Sequence, residues 1–290
     1  MRVSYLGPPG TFSDSALVEA AGTVVIDAVP FATLFDVISA VSDRRVDLGL
    51  VPFENSIDGS VRPTLDALAF EVEGVELVGE YDLAIRHALI VANAASGPIE
   101  KVYSHPQPLA QCARYLREQH PEVELVATSS TADAIAGLHR AGHGAAAIGP
   151  ASSADRYGCV VWEGGIEDFD DNRTRFVWVA RVGESPQRAP GGEWRTVLSF
   201  SELGDDRPGA LVDALTEFAS RQVNLIRLES RPLRRGLDRY MFFVDLEGDL
   251  GDEPIAAAIE ALRAKAENVR ILGSYPLGVS PLEDPKRSAD

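Results

Sequence analysis

Cysteine is nearly absent. The 290 residues hold two, Cys112 and Cys159, far apart and without paired spacing, which excludes a disulfide framework and a cysteine-based zinc site and leaves two buried, inert thiols. Five scattered histidines form no ligand cluster, so neither metal nor cofactor is expected. Basic charge is also short: 27 Lys and Arg face 44 Asp and Glu, for a net charge of -17. Without a basic stripe the chain offers no nucleic-acid surface. No apolar run is long enough to cross a bilayer, and residues 2–6 read as a strand where a secretory signal would show its basic, apolar and small-residue order. The expected setting is cytoplasmic, with neither nucleic acid nor membrane as partner. Missing too are the glycine spacings of dinucleotide and phosphate loops, since neither Gly7 nor Gly10 fits them and no lysine follows.

What is present is the composition of a soluble globular protein, 45% apolar and 24% charged, in a chain that suits two or three domains. Residues 1–182 alternate strand and helix, which makes the fold class α/β. Strands are expected over 3–6, 24–29, 46–51, 102–103, 123–127 and 145–149, and helices over 14–21, 31–42, 62–70, 109–119, 134–140 and 150–157. Two apolar stretches between 75 and 92 suggest strands crossing between two lobes, one of roughly 1–80 with 165–182 and one of 81–164. Residues 183–194, rich in Gly, Pro and polar side chains, read as a linker. Over 195–278 the order strand 196–200, helix 209–221, strand 224–230, strand 239–246, helix 253–266, strand 269–275 is the ferredoxin-like β-α-β-β-α-β unit. One face of its sheet is left to cover, which predicts a second subunit or a ligand there. The tail 279–290 is polar and expected to be disordered.

Candidate chemistry gathers in the strand-to-helix loops. Thr11 and Ser13 lie in residues 7–13, Ser104, His105 and Gln107 in 104–108 with Gln111 beyond, and Ser129, Ser130 and Thr131 in 128–131. Hydroxyls there cap helices and leave backbone N–H groups for an anion, so three such loops together suggest an anion cleft between two α/β lobes. Glu54 and Asn55 sit at the carboxyl end of a strand, where open α/β sheets bind ligands; they serve equally well as capping residues for the next helix. The stretch Asp171-Asn172-Arg173-Thr174-Arg175-Phe176 packs acid, amide, hydroxyl, guanidinium and ring into a strand entry. Alternation puts Asn172, Thr174 and Phe176 on one face and Arg173 with Arg175 on the other, which makes Thr174 the candidate donor.

Taken in order, Gly7-Pro8-Pro9-Gly10-Thr11-Phe12-Ser13, Val51-Pro52-Phe53-Glu54-Asn55-Ser56, Ser104-His105-Pro106-Gln107, Thr174-Arg175-Phe176, Gly209-Ala210-Leu211 and Glu229-Ser230-Arg231-Pro232 resemble the prephenate dehydratases that carry a C-terminal ACT regulatory domain. The resemblance implies a catalytic part of two lobes like a periplasmic binding protein, with the active site in the cleft between them. It implies decarboxylating dehydration of prephenate to phenylpyruvate in L-phenylalanine biosynthesis without cofactor or metal, phenylalanine as effector at the ACT domain, and a homodimer or homotetramer. Thr174 would then hydrogen-bond the leaving hydroxyl, with Glu54 or His105 as the ultimate proton source. Asn55, Ser104, Gln107 and Gln111 would orient the substrate and Arg175 would attract its carboxylates, although alternation turns Arg175 away from Thr174. Phe176 would offer apolar surface to the departing carboxylate, or simply pack the core. Thr11, Ser13, Ser129, Ser130 and Thr131 would bind substrate. Gly209, Ala210, Leu211, Asn224, Leu225, Glu229, Ser230, Arg231 and Pro232 would form the effector site, with Glu229 meeting an ammonium. Two alternatives stay open: an arogenate dehydratase, whose substrate brings an amino group, and a non-catalytic amino-acid-sensing binding protein.

Overall fold

The computed structural model describes residues 1–95, 97–184, 192–204, 208–235 and 239–283. Strand β1 (Arg2–Leu6) leads through residues 7–10 into α1 (Phe12–Ala21), which begins behind Thr11 because its hydroxyl accepts from the Asp14 amide. β2 (Asp27–Phe31), α2 (Leu34–Ser42) and β3 (Leu48–Asn55) follow, with Thr33 capping α2 in the same way. β1 pairs in parallel with both β2 and β3, the arrangement that helix crossovers impose. β4 (Gly59–Ser60) folds back on β3, and α3 (Arg62–Asp66) passes into a π turn at Ala67–Glu71 before β5 (Val75–Ala84).

The next elements are β6 (Ala88–Val91), β7 (Lys101–Ser104), α4 (Pro106–Gln111), α5 (Ala113–Gln119), β8 (Glu124–Ala127), α6 (Thr131–Ala141), β9 (Ala145–Gly149), α7 (Ser152–Arg156) and β10 (Val160–Gly164). Their strands form a separate five-stranded sheet ordered β10-β6-β9-β7-β8. The helix expected over 109–119 starts earlier and is broken at Cys112, whose φ is -115° and ψ 15°. β11 (Arg173–Arg181) then returns to the first sheet and lies between β3 and β5.

The last third consists of β12 (Trp194–Ser201), α8 (Ala210–Ala219), β13 (Leu225–Pro232), β14 (Tyr240–Glu247), α9 (Glu253–Arg263) and β15 (Asn268–Pro276). Its antiparallel order β13-β14-β12-β15 is the ferredoxin-like arrangement. α8 and α9 cover one face, packing Ala214, Phe218, Ile259 and Leu262 on Leu198, Phe200 and Val244. The other face, which the sequence assigns to a second subunit or a ligand, is covered by the chain's own first lobe. Val197, Phe243, Leu272 and Tyr275 share a core with Val37, Phe53, Leu68 and Leu77.

The terminal sheet continues the first one, to ten strands, where β15 pairs with β5 at Gly273 opposite Leu77. A Cβ at position 273 would lie 2.2 Å from the Leu77 carbonyl oxygen, so the junction admits only glycine. Two expectations are corrected at the ends of this unit. Trp194, counted in the linker, is buried and already pairs with Pro276, because an aromatic ring at the end of a polar stretch finds the core; residues 185–191 lie outside the described residues. In the tail, Pro281–Glu283 forms a 3-10 turn and Leu282 packs with Val78, Leu83 and Trp178, since one apolar side chain suffices to anchor a stretch whose average composition is polar. Residues 284–290 lie outside the described residues.

Candidate active site

A cleft of about 380 Å³ lies between the first sheet and the five-stranded one, a size suited to a small ligand. Three helix starts line it: Thr11, Phe12 and Ser13 at α1, His105, Gln107 and Pro108 at α4, and Ser129, Ser130 and Thr131 at α6. Backbone N–H groups and helix dipoles therefore converge on one space. Among the described residues that line it there is no arginine or lysine, so any attraction for an anion comes from these termini and from neutral donors. The hydroxyls are partly committed. Ser130 accepts from the Asp133 amide at 3.0 Å and Ser129 donates to the Asp133 carboxylate.

The floor is built where β11 meets β3. Thr174 stands opposite Asn55 and Arg175 opposite Glu54, but Phe176 stands opposite Pro52. This bulge lets Pro52 and Asn55, three residues apart, both face the cleft beside Thr174 and Phe176. Asn55 is fixed in orientation because its Oδ1 accepts from the Ile57 and Asp58 amides, both at 3.0 Å. Its Nδ2 then donates to Asn172 Oδ1 at 2.8 Å, Arg173 O at 3.1 Å and Thr174 Oγ1 at 2.9 Å. Thr174 is thus an acceptor within the protein, and its own hydroxyl hydrogen remains for a ligand.

The network continues across the cleft. Asn172 Nδ2 donates to Gln111 Oε1 at 3.1 Å, the oxygen that also meets His87 Nε2 at 2.8 Å, so His87 carries its proton on Nε2. Gln111 Nε2 donates to Asp58 Oδ2 at 2.7 Å, and Gln107 Nε2 donates to the same oxygen. Asp58 thereby links the two walls. His87 is 1% exposed, its ring edge-to-face with Phe12, and its Nδ1 has no partner. Burial pushes its pKa below the ordinary histidine value, outweighing the bond to Gln111 and the nearby Glu167 carboxylate.

The expected residues fall into two groups. Thr11, Ser13, Asn55, His105, Gln107, Gln111, Ser129, Ser130, Thr131, Thr174 and Phe176 all line the cleft. Three do not. Arg175 turns to the opposite face, as alternation requires, with Nη2 at 2.9 Å from Glu54 and 2.6 Å from Asp245 and Nη1 at 3.6 Å from Glu80. Burial alone would disfavour its charge, but Asp245 and the other acids raise its pKa. It does not reach the cleft to attract carboxylates, and Glu54 is engaged with it. Ser104 is fully buried and donates to Ile148 O at 2.7 Å; the residue capping α4 is His105, whose Nδ1 accepts from the Gln107 amide at 3.4 Å. His87, Asp58 and Asn172 complete the site without having been singled out as site residues. Alternation already put Asn172 beside Thr174, whereas His87 stands in an apolar run that carries no such signal.

The residues named for an effector divide along β13. Met241 pairs with both Ser201 and Arg231, and Leu246 with both Thr196 and Leu225. Gly209, Ala210 and Leu211, which open α8 after the Ser201 end of β12, therefore belong to the end of the sheet that carries Ser230, Arg231 and Pro232. Asn224 and Leu225 lie at the other end, about 20 Å along the strand, with Glu229 between. Arg231 is committed to Asp66 of the first lobe, donating to its two oxygens at 2.7 and 2.8 Å.

A family model for prephenate dehydratase matches residues 3–184 and one for the ACT domain matches residues 197–264. A prephenate dehydratase of Mycobacterium sp. (strain JLS) is 37% identical over 297 residues, covering 99% of this chain and 92% of that protein. Among solved structures, prephenate dehydratase from Arthrobacter aurescens in complex with L-Phe has a TM-score of 0.85 at 33% identity, over 95% of this chain and 90% of its own. The quorum-quenching acylase GqqA has a TM-score of 0.82 at 28% identity, over 99% of this chain and 100% of its own. With a family model spanning more than half its length and full-length relatives above 30% identity, the chain belongs to the prephenate dehydratase family.

Proposed function

We propose that this chain converts prephenate to phenylpyruvate, carbon dioxide and water in L-phenylalanine biosynthesis, and responds to phenylalanine through its terminal domain. The observation that carries the reading is the Thr174 hydroxyl, whose oxygen accepts from Asn55 and which lines a cleft with no lysine or arginine among its described lining residues. In the reaction the ring carboxylate leaves as carbon dioxide, its bonding electrons complete the aromatic ring, and the ring hydroxyl departs with one added proton as water. Thr174 hydrogen-bonds that hydroxyl, and the donation it receives from Asn55 strengthens it as a donor. His105 lines the cleft, which supports it as the proton source over Glu54, whose carboxylate binds Arg175. The helix starts of α1, α4 and α6 hold carboxylates, with Gln107 and Gln111 orienting the ligand. Leu6, Pro52, Val61, Ile85 and Phe176 supply apolar surface that favours a carboxylate losing its charge.

The division into a catalytic part of 1–182, a linker of 183–194 and an ACT domain of 195–278, a cytoplasmic setting and a homodimer or homotetramer belong to the same reading. An effector set parted between the two ends of β13 supports a phenylalanine site completed by a second copy of the chain. Arogenate is the second substrate to weigh, because Asp58 offers a carboxylate between the walls that suits an ammonium. Among the described residues lining the cleft no serine hydroxyl is bonded to a histidine, so a serine–histidine acyl transfer finds no support there. Purified protein is incubated with prephenate and, separately, with arogenate, and the products are read as phenylpyruvate absorbance in alkali and as phenylalanine. Turnover of prephenate is expected; turnover of neither compound would leave the non-catalytic sensor.

A further inference from the structure

Asp245, on β14 in the terminal domain, is fully buried. Its Oδ1 accepts from Nε and Nη2 of Arg227 at 3.1 and 3.0 Å, and its Oδ2 accepts from Nη2 of Arg175 at 2.6 Å. Arg175 in turn meets Glu54 of β3 and Glu80 of β5, and Glu80 also receives Arg195 at 2.6 Å and the Tyr275 hydroxyl at 3.0 Å. The ring of Phe53 lies under both guanidinium groups, 5.1 Å from Arg175 and 4.7 Å from Arg227. Three acids from three strands, β3, β5 and β14, thus fix one guanidinium on a fourth.

A buried ion network of this kind is poor evidence of stability in itself, because a well-packed apolar set often does as well. What it provides is direction. Arg175 immediately follows Thr174, Glu54 immediately precedes Asn55, and the two pairs stand opposite each other in register. Only the peptide links separate the charged pair from the hydroxyl and amide that face the cleft. This is also the end of the β3–β11 ladder, where backbone pairing alone holds the strands least firmly.

We propose that Asp245 is a positioning residue for the cleft: by holding Arg175, and through it Glu54, this terminal-domain carboxylate sets the placement of the Thr174 hydroxyl and the Asn55 amide. The kinetic arm of its test rests on the dehydratase reading. In the full chain, Asp245→Asn is expected to lower kcat for prephenate at least tenfold with KM changed less than threefold, and Asp245→Glu to recover part of the loss. Because the effect passes through Thr174, adding Asp245→Asn to Thr174→Ala is expected to change kcat less than twofold. Folded Asp245→Asn protein with the kcat of the parent overturns the proposal, and so do losses that multiply in the double variant. Should Asp245→Asn fail to fold, Arg227→Lys, which loosens the same carboxylate from one side, is expected to reproduce the kcat-selective, non-multiplying loss. If the parent chain turns over neither prephenate nor arogenate, the functional reading fails separately. Amide hydrogen exchange then decides: Asp245→Asn should speed exchange at 55–58 and 173–176 while leaving α6 unchanged, and unaltered exchange in those segments overturns the proposal.

Discussion

A threonine hydroxyl is a weak acid, so Thr174 contributes by placement, and its oxygen is held by the Asn55 amide 2.9 Å away, which leaves the hydroxyl free to donate. Removing the hydroxyl by Thr174→Ala is expected to lower kcat by about a hundredfold, the scale of one lost positioned donor. Its melting temperature should stay close to that of the parent, because the side chain fills little of the core; parental turnover in that variant would remove Thr174 from the mechanism. His87 makes a different kind of prediction. Burial lowers its folded pKa below about 6.5, so the unfolded chain takes up the proton first as pH falls. Its contribution to stability is therefore complete above about 6.5 and is lost as pH drops through that window toward the folded value. Urea midpoints measured at pH 7.5, 6.5 and 5.5 should decline for the parent and decline less for His87→Gln. Equal slopes for the two proteins would mean that His87 binds its proton equally well in the folded and unfolded chains, so that burial does not lower its pKa.

At the scale of elements, the join between β15 and β5 is the tightest backbone approach at any glycine among the described residues. Gly273 is demanded there by distance alone, since any side chain would begin 2.2 Å from a backbone oxygen. Gly273→Ala must push the strands apart or bend one of them, at an expected cost of about 1 to 3 kcal/mol. The loss would show in the urea midpoint, and faster exchange at Leu77 and at neighbouring amides of β15 would locate it. An unchanged midpoint would mean that the two strands are not held together at this point. The other precise element contact is the bulge in β3, which is what allows Asn55 and Pro52 to share the cleft face with Thr174 and Phe176. A regular β3 would carry Pro52 and Asn55 on opposite faces.

At the scale of the whole molecule, the terminal unit is fastened to the first lobe by the shared core and by ion pairs at its margin. Asp66, the last residue of α3, receives Arg231 and Arg234. Its burial would raise its pKa, but the hydrogen bonds from both arginines outweigh this and hold it below about 3.8. An acid with a depressed folded pKa stabilises above its unfolded value, and that contribution disappears as pH falls from about 3.8 through the lower folded value. Acid unfolding followed by tryptophan fluorescence is therefore expected to be less steep below pH 3.8 in Asp66→Asn than in the parent. An identical profile would show that these pairs hold the two units together no better in the folded chain than solvent does.

Much of this architecture was legible locally. Strand alternation alone separated Thr174 from Arg175, hydroxyls ahead of helices marked Thr11 and Ser130 as caps, and the order of strands and helices announced the ferredoxin-like unit. These are properties of neighbouring residues and of backbone periods, so the sequence by itself determined them. What Arg175 meets was beyond such reasoning. Its partners Glu54 and Asp245 lie 121 and 70 residues away: Glu54 is brought opposite it by the pairing of β11 with β3, and Asp245 by the joining of the terminal strands to the first lobe at Gly273 and Leu77. The same holds for His87, which lines the cleft and meets Gln111, and for Asp58, which accepts from Gln111 of the other lobe. It holds also for the terminal sheet, whose open face is covered by the chain's own core. Which face a residue takes follows from the local backbone; what it then touches is decided only by how distant segments pack.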